Sequence, residues 1–386
     1  MRACACAGTV SLGRSNTENG NLRMLRRDAL KWLGLAVPAA CFAPACFGPS
    51  EALGQVAPGK PAAPTTNAQR VIEIEIDRET QEAAVASTVV ISPNGQIVAA
   101  GCDDHRIRRW NIADGSPIAQ LREHTDWVRG IAFHPQGKKL VSVGDDYFVR
   151  LWDLETNAVV QRHEVKSGVL HAVAFRPDGK LYGVVGFDDQ LRIFDSESGK
   201  IVQELTVPAT DVKTLAFSPN NQQIAAAGRN GVIRVWDLIG FKQVRDIPAH
   251  RMRVRSIVFS PDSSQLASVG DDRKFYLWNL DGTRAATLPT PAGKLFSLAF
   301  LGNDYLASGG SDNVIRVVDV RSRKELVQLT GHTGSVAGLD YHVDSNTIAS
   351  AGFDTTVRLW RPTLSEAAPA KVTQRPTLAP LSTFSK

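Results

Sequence analysis

Gly144–Asp153 reads GDDYFVRLWD, and variants of it recur along the chain. They are CDDHRIRRWN from Cys102, GFDDQLRIFD from Gly186, GRNGVIRVWD from Gly228, GDDRKFYLWN from Gly270, GSDNVIRVVD from Gly310 and GFDTTVRLWR from Gly352. The aromatic position, or its substitute, falls at Trp110, Trp152, Phe194, Trp236, Trp278, Val318 and Trp360, at spacings of 42, 42, 42, 42, 40 and 42. Seven copies at so even a period mark a stacked array of small units.

Each unit reads as short β-rich strands separated by turn residues. In the second, WVRGIAF is followed by the turn HPQGK, then KLVSVG, a tight DD turn, FVRLWD and the alternating AVVQRHEV. The first turn returns as SPNG, HPQG, RPDG, SPNN, SPDS, LGND and HVDS. A four-stranded sheet of this size cannot bury both faces alone. Radial packing against neighbouring sheets buries them and leaves only short edges.

These units resemble WD repeats. Seven of them imply an all-β, seven-bladed β-propeller over residues 70–361. The chain turns to Pro, Ala, Ser and Thr after Trp360, and the alternating RVIEIEID (Arg70 to Asp77) precedes the first unit. Ile72, Ile74 and Ile76 face one way and Glu73 and Glu75 the other, so this segment is expected to be the outer strand of the last blade, closing the ring.

Three copies share a constellation at fixed offsets: His124, Ser142, Asp146 and Trp152; His250, Ser268, Asp272 and Trp278; His332, Ser350, Asp354 and Trp360. A His–Ser–Asp set invites comparison with nucleophilic catalysis. Its threefold recurrence beside a tryptophan favours structural tetrads, as the resemblance implies: the carboxylate holds the imidazole, the imidazole meets the serine, and the serine reaches the indole N–H. The Asp pairs at 103–104, 145–146, 188–189 and 271–272 read as tight-turn carboxylates, because no loop alternates oxygen ligands with a glycine as a calcium hand does. Cys102 replaces the glycine that opens the other six copies, so its turn is expected to be less regular.

The chain carries +5, but residues 1–69 hold +4 of this and residues 362–386 hold +2, leaving −1 for the repeats. A nearly neutral core lacks the basic footprint of a nucleic-acid binder. Cys4, Cys6, Cys41 and Cys46 precede the repeats and only Cys102 lies within them, so the fold uses no internal disulfide.

Residues 24–47 read MLRRDALKWLGLAVPAACFAPACF. A charged pair and a 16-residue apolar run, Trp32 to Phe47, resemble a twin-arginine export signal through Arg26, Arg27, Leu30 and Lys31. Leu25 and Ala29 depart from the pattern, which leaves the general secretory route open. The expected organisation is a signal peptide over 1–54 (with Met24 as an alternative start), a Pro/Ala-rich linker over 55–69, the propeller, and a disordered tail over 362–386. The mature chain then has no transmembrane span and is exported to the periplasm or cell envelope of a bacterium, with Cys41 or Cys46 as the candidate for a lipid anchor.

No phosphate loop, GxSxG, HExxH, CxxCH or paired CxxC is present, so no catalytic residue, metal or cofactor is assigned. The resemblance implies a partner site at one rim, where three repeat positions project. The two positions flanking the first inner-strand aliphatic, and the one before the turn Asp, supply a candidate set: Trp127, Arg129, His171, Phe187, Asp211 and Lys213, then Arg229, Arg253, Arg255, Lys294, Phe296 and Phe353. Trp, Phe and Arg are the residues that binding hot spots use. The leading expectation is a non-catalytic scaffold for a protein or peptide. The alternative is an exported propeller enzyme, resembling lactonases or quinoproteins, with a ligand or metal in the central channel.

Overall fold

The computed structural model describes residues 65–74 and 83–364, and every regular element among them is a β-strand. Seven antiparallel sheets follow one another along the chain. Inner strands Ala86–Ile91, Val128–Phe133, Leu170–Phe175, Val212–Phe217, Val254–Phe259, Leu295–Leu301 and Val336–His342 each touch the next, and the seventh touches the first. The ring is therefore closed, with one sheet per repeat: a seven-bladed β-propeller.

The burial pattern explains why each repeat folds this way. Lys139–Gly144 and Phe148–Asp153, the second and third strands of blade 2, are almost wholly buried because neighbouring blades cover both faces. The outer strand Ala158–Glu164 alternates exposed and half-buried residues, as a rim strand with one wet face must. Successive blades meet through apolar clusters such as Val141, Val143, Leu151, Leu170, Val184 and Phe194.

Closure involves two strands. Strand β1 (Thr65–Asn67) pairs in parallel with Glu325–Thr330, the outer strand of blade 6. Strand β2 (Arg70–Glu73) then pairs antiparallel with Thr356–Trp360 as the outer strand of blade 7. The Ile74 amide continues this ladder to the Thr355 carbonyl at 3.0 Å. Ile72 and Ile74 are buried while Val71 and Glu73 are exposed, so the alternation in RVIEIEID sets the face as read. Arg70 donates to the Ala113 carbonyl at 2.7 Å, tying β2 to blade 1.

Two boundaries move. The expected linker over 55–69 contains β1, and the expected tail begins later than 362, because Pro362 is buried and Leu364 packs against the core. Ile76, Glu75, the signal segment with Cys41 and Cys46, and the tail beyond 364 lie outside the described residues.

The turn at Cys102 is not less regular than its counterparts. The Asp103 amide donates to the Val85 carbonyl at 3.1 Å, as Asp145 does to Trp127 at 2.9 Å and Phe353 to Ser335 at 2.9 Å.

Candidate functional site: the rim and mouth of the ring

A single backbone device builds the site. In all seven blades the inner strand carries a β-bulge at its second residue: Ser87, Arg129, His171, Lys213, Arg255, Phe296 and Ala337 each stand unpaired between two paired neighbours. A bulge re-aims one side chain and strengthens the local twist. Here it turns these side chains toward the mouth of the ring, and two of them reach across a seam between blades. Ser87 Oγ donates to the Val128 carbonyl of blade 2 at 2.5 Å, and Lys213 Nζ donates to His171 Nδ1 of blade 3 at 3.2 Å.

The mouth is charged on one side only. Blades 2 to 5 supply Arg129, His171, Lys213 and Arg255, whereas blades 6, 7 and 1 supply Phe296, Ala337 and Ser87. Carboxylates answer most of the cations. Arg129 grips Asp145 through two hydrogen bonds of 3.0 and 2.6 Å, and Arg255 grips Asp271 at 2.8 and 3.1 Å. Arg253 pairs with Asp211, whose other oxygen lies 3.2 Å from His171 Nε2.

Burial works on the groups left in the middle. It brings the His171 imidazole down to about 4, aided by the Lys213 charge and opposed by Asp211 and Asp145. Neutral His171 therefore accepts from Lys213 through Nδ1, while its buried Nε2, though 3.2 Å from Asp211, is left without a hydrogen-bond partner among the described residues. Burial, with the Arg129 charge next, brings Lys213 down to about 8.

Aromatic side chains stand around this mouth. The Arg129 guanidinium lies 4.2 Å from the Trp127 ring centroid, and Arg255 lies 5.5 Å from that of Phe296. Trp127, Phe187 and Phe353 remain 37%, 54% and 53% exposed. Arg229 and Lys294 are exposed and make no ion pair with the described residues, so the structure does not bring them into the network.

The three recurrent His–Ser–Asp–Trp sets form complete chains of hydrogen bonds inside blades 2, 5 and 7. Trp152 Nε1 donates to Ser142 Oγ at 2.8 Å, His124 Nε2 lies 2.6 Å from that oxygen, and His124 Nδ1 lies 3.0 Å from Asp146. Corresponding distances are 2.8, 2.8 and 2.8 Å around Ser268, and 2.8, 2.7 and 3.0 Å around Ser350. The three serines are fully buried. Burial outweighs the aspartate's pull and holds each imidazole below its ordinary range. In the neutral state Nδ1–H donates to the carboxylate and Nε2 accepts from the serine, leaving no polar atom of the set unanswered.

Five segments match the WD40 family (WD domain, G-beta repeat): residues 79–111, 115–153, 199–237, 241–279 and 323–361. The chain is a β-propeller of WD40 repeats. The matched segments end on the copies that keep tryptophan at 110, 152, 236, 278 and 360. The unmatched copies carry Phe194 and Val318, and their blades form by other means. In blade 3, Phe194 stacks on Tyr182 with centroids 4.9 Å apart and planes 3° apart, beside Val184 at the serine position. In blade 6, Asp312 is held by Arg316 and Val318 is fully buried.

The WD40 propeller is similar to "Cell division control protein 4" of Saccharomyces cerevisiae, 40% identical over 58 residues, which are 15% of this chain and 7% of that protein. It is also similar to "Probable serine/threonine-protein kinase PkwA" of Thermomonospora curvata, 44% identical over 50 residues, 13% of this chain and 6% of that protein. These alignments span one repeat or slightly more, a small fraction of either relative. Among the described residues no helix is long and apolar enough to cross a membrane, and no three His, Cys, Asp or Glu side chains gather as a metal site would require.

Sequence reasoning passed over the arginine two residues before the aromatic position: Arg108, Arg150, Arg192, Arg234, Arg316 and Arg358. Arg108 grips Asp104 at 2.8 and 2.6 Å, and Arg150 reaches Asp146 at 2.6 Å. Recurrence in six of seven copies was the available signal; where the turn carries an aspartate the arginine pairs with it, and in blade 4, whose turn carries Asn230, Arg234 grips Asp246 of the outer strand at 2.6 Å instead.

Proposed function

We propose that this propeller is an exported, non-catalytic platform that binds a protein or peptide at the bulge-bearing end of its ring. WD40 propellers in general serve as protein-interaction scaffolds. The observation that carries the reading is the exposure of Trp127, Phe187 and Phe353 beside a mouth lined by arginine and lysine. Large aromatic rings left in water next to positioned guanidinium groups are the composition of an interface hot spot. The buried tetrads support a non-catalytic reading, because each serine oxygen is already engaged by an indole and an imidazole. Export rests on Arg26 and Arg27 and the apolar run after them.

A displayed random-peptide library selected on the wild type and on a Trp127→Ala/Phe187→Ala/Phe353→Ala variant tests the surface. Peptides enriched on the wild type and lost on the variant support it; equal enrichment on both removes the rim. Export is tested by Arg26→Lys/Arg27→Lys in a reporter fusion, where unchanged delivery to the envelope would rule out the twin-arginine route.

A further inference from the structure

Four cations converge where blades 2 to 5 meet the mouth: Arg129, Lys213, Arg253 and Arg255 all lie close enough for the three guanidinium groups to depress Lys213. Three of them have a carboxylate partner in the chain itself, as described above. Lys213 does not. Its Nζ donates to His171 Nδ1 at 3.2 Å, and among the described residues no carboxylate oxygen comes within 4.0 Å of it. An ammonium has three donors, so two remain. A half-buried cation beside three others, answered by a neutral imidazole, is an arrangement that lacks its anion.

We propose that the mouth of the ring is a receptor for one carboxylate of a bound peptide, with Lys213 as its counter-charge. This rests on the platform reading and names the chemistry that platform selects. The charge count decides between anions. Asp145, Asp211 and Asp271 balance Arg129, Arg253 and Arg255, leaving an excess of one, which suits a carboxylate rather than a phosphate dianion. The planar forks that would grip a phosphate are already closed on Asp145 and Asp271. A lysine acts instead as a point charge, and here it is half-buried against His171 with two donors still free. The carboxylate can come from an acidic side chain or from a chain terminus.

An anion at Lys213 favours the ammonium form, so its titration midpoint must rise when the site fills. With the free value at about 8, the protonated fraction falls by about tenfold between pH 7 and pH 9, and affinity falls with it. The groups that share this environment are Arg129, Arg253 and Arg255, the carboxylates Asp211 and Asp145, and His171, already neutral in this window.

The experiment is a lysine ε-carbon NMR titration of the full chain, with Lys213→Arg used to assign the resonance. The probes are N-acetylglycine for a terminal carboxylate, N-acetylglutamate α-amide for a side-chain carboxylate, N-acetylglutamine amide as the uncharged control, and inorganic phosphate. A rise in the Lys213 midpoint with either carboxylate but not with the amide, and about tenfold weaker binding at pH 9 than at pH 7, is the expected result; which carboxylate acts more strongly identifies its source. A midpoint unmoved by both carboxylates, moved equally by the amide, or moved most by phosphate overturns the assignment. Because the reading is taken on the wild type, a misfolded variant cannot imitate either outcome. Displayed peptides selected on the rim without any Lys213 response would fault this site alone, and a Lys213 response without selected peptides would fault the platform.

Discussion

Ser142 Oγ stands between Trp152 Nε1 at 2.8 Å and His124 Nε2 at 2.6 Å, so one buried hydroxyl joins the second and third strands of blade 2 to the loop that enters the blade. Removing it strands an indole N–H and an imidazole nitrogen where no water reaches. We expect Ser142→Ala to destabilise the fold by about 1–3 kcal/mol, and Trp152→Ala by about 3–5 kcal/mol through lost aromatic volume. Urea unfolding of each variant checks both; a Ser142→Ala midpoint equal to the wild type would show that the chain of hydrogen bonds adds nothing.

Asp340 gives the seam between blades 7 and 1 a pH dependence. Its carboxylate accepts the Ile91 amide at 2.6 Å, and burial pushes it up to about 6 despite that hydrogen bond, one from the Tyr341 amide and the His342 charge. The folded chain therefore keeps a proton that an unfolded Asp releases near pH 3.9. This contribution is complete below pH 4 and is lost as pH rises through 6. Asp340→Asn keeps an acceptor for Ile91 without an ionisable group. It should leave stability near pH 4 unchanged and raise it at pH 7.5 by about 1–3 kcal/mol. Unfolding free energies of both proteins at the two pH values decide the matter; an equal difference at both would remove Asp340 titration as the cause.

The two closing strands should differ in weight. Deleting residues 1–68 removes β1 but leaves blade 6 its own four strands. Deleting residues 1–74 also removes β2, leaving blade 7 with three strands and exposing the apolar surface that Ile72 and Ile74 cover. The first deletion should lower the melting temperature only slightly, whereas the second should yield aggregating protein, because an open edge and an uncovered face appear together. Comparable melting temperatures for the two deletions would show that β2 does not close the ring.

Much of this molecule is legible in the chain because it repeats. The 42-residue period sets seven blades, and fixed offsets from Trp152, Trp278 and Trp360 pick out the tetrads, since each belongs to one blade plus the loop entering it. Register also places the mouth residues: the bulge falls at the same repeat position in every blade, so counting from one copy finds Arg129, His171, Lys213 and Arg255 in the others.

What repetition cannot convey is which charges meet across seams. Arg253 belongs to one repeat and Asp211 to the one before it, and nothing local to either shows that they pair while Lys213 keeps only His171. Nor does the Pro/Ala-rich stretch before Arg70 announce that Thr65–Asn67 pairs with Gln328–Thr330, because a three-residue parallel contact across more than half the chain leaves no periodicity to read. Local hydrophobic pattern and turn chemistry, written into the amino-acid order alone, determined the blades and their number. Closing the ring determined the rest, because electrostatic balance and edge pairing depend on distances between segments that become neighbours only when the seventh blade meets the first.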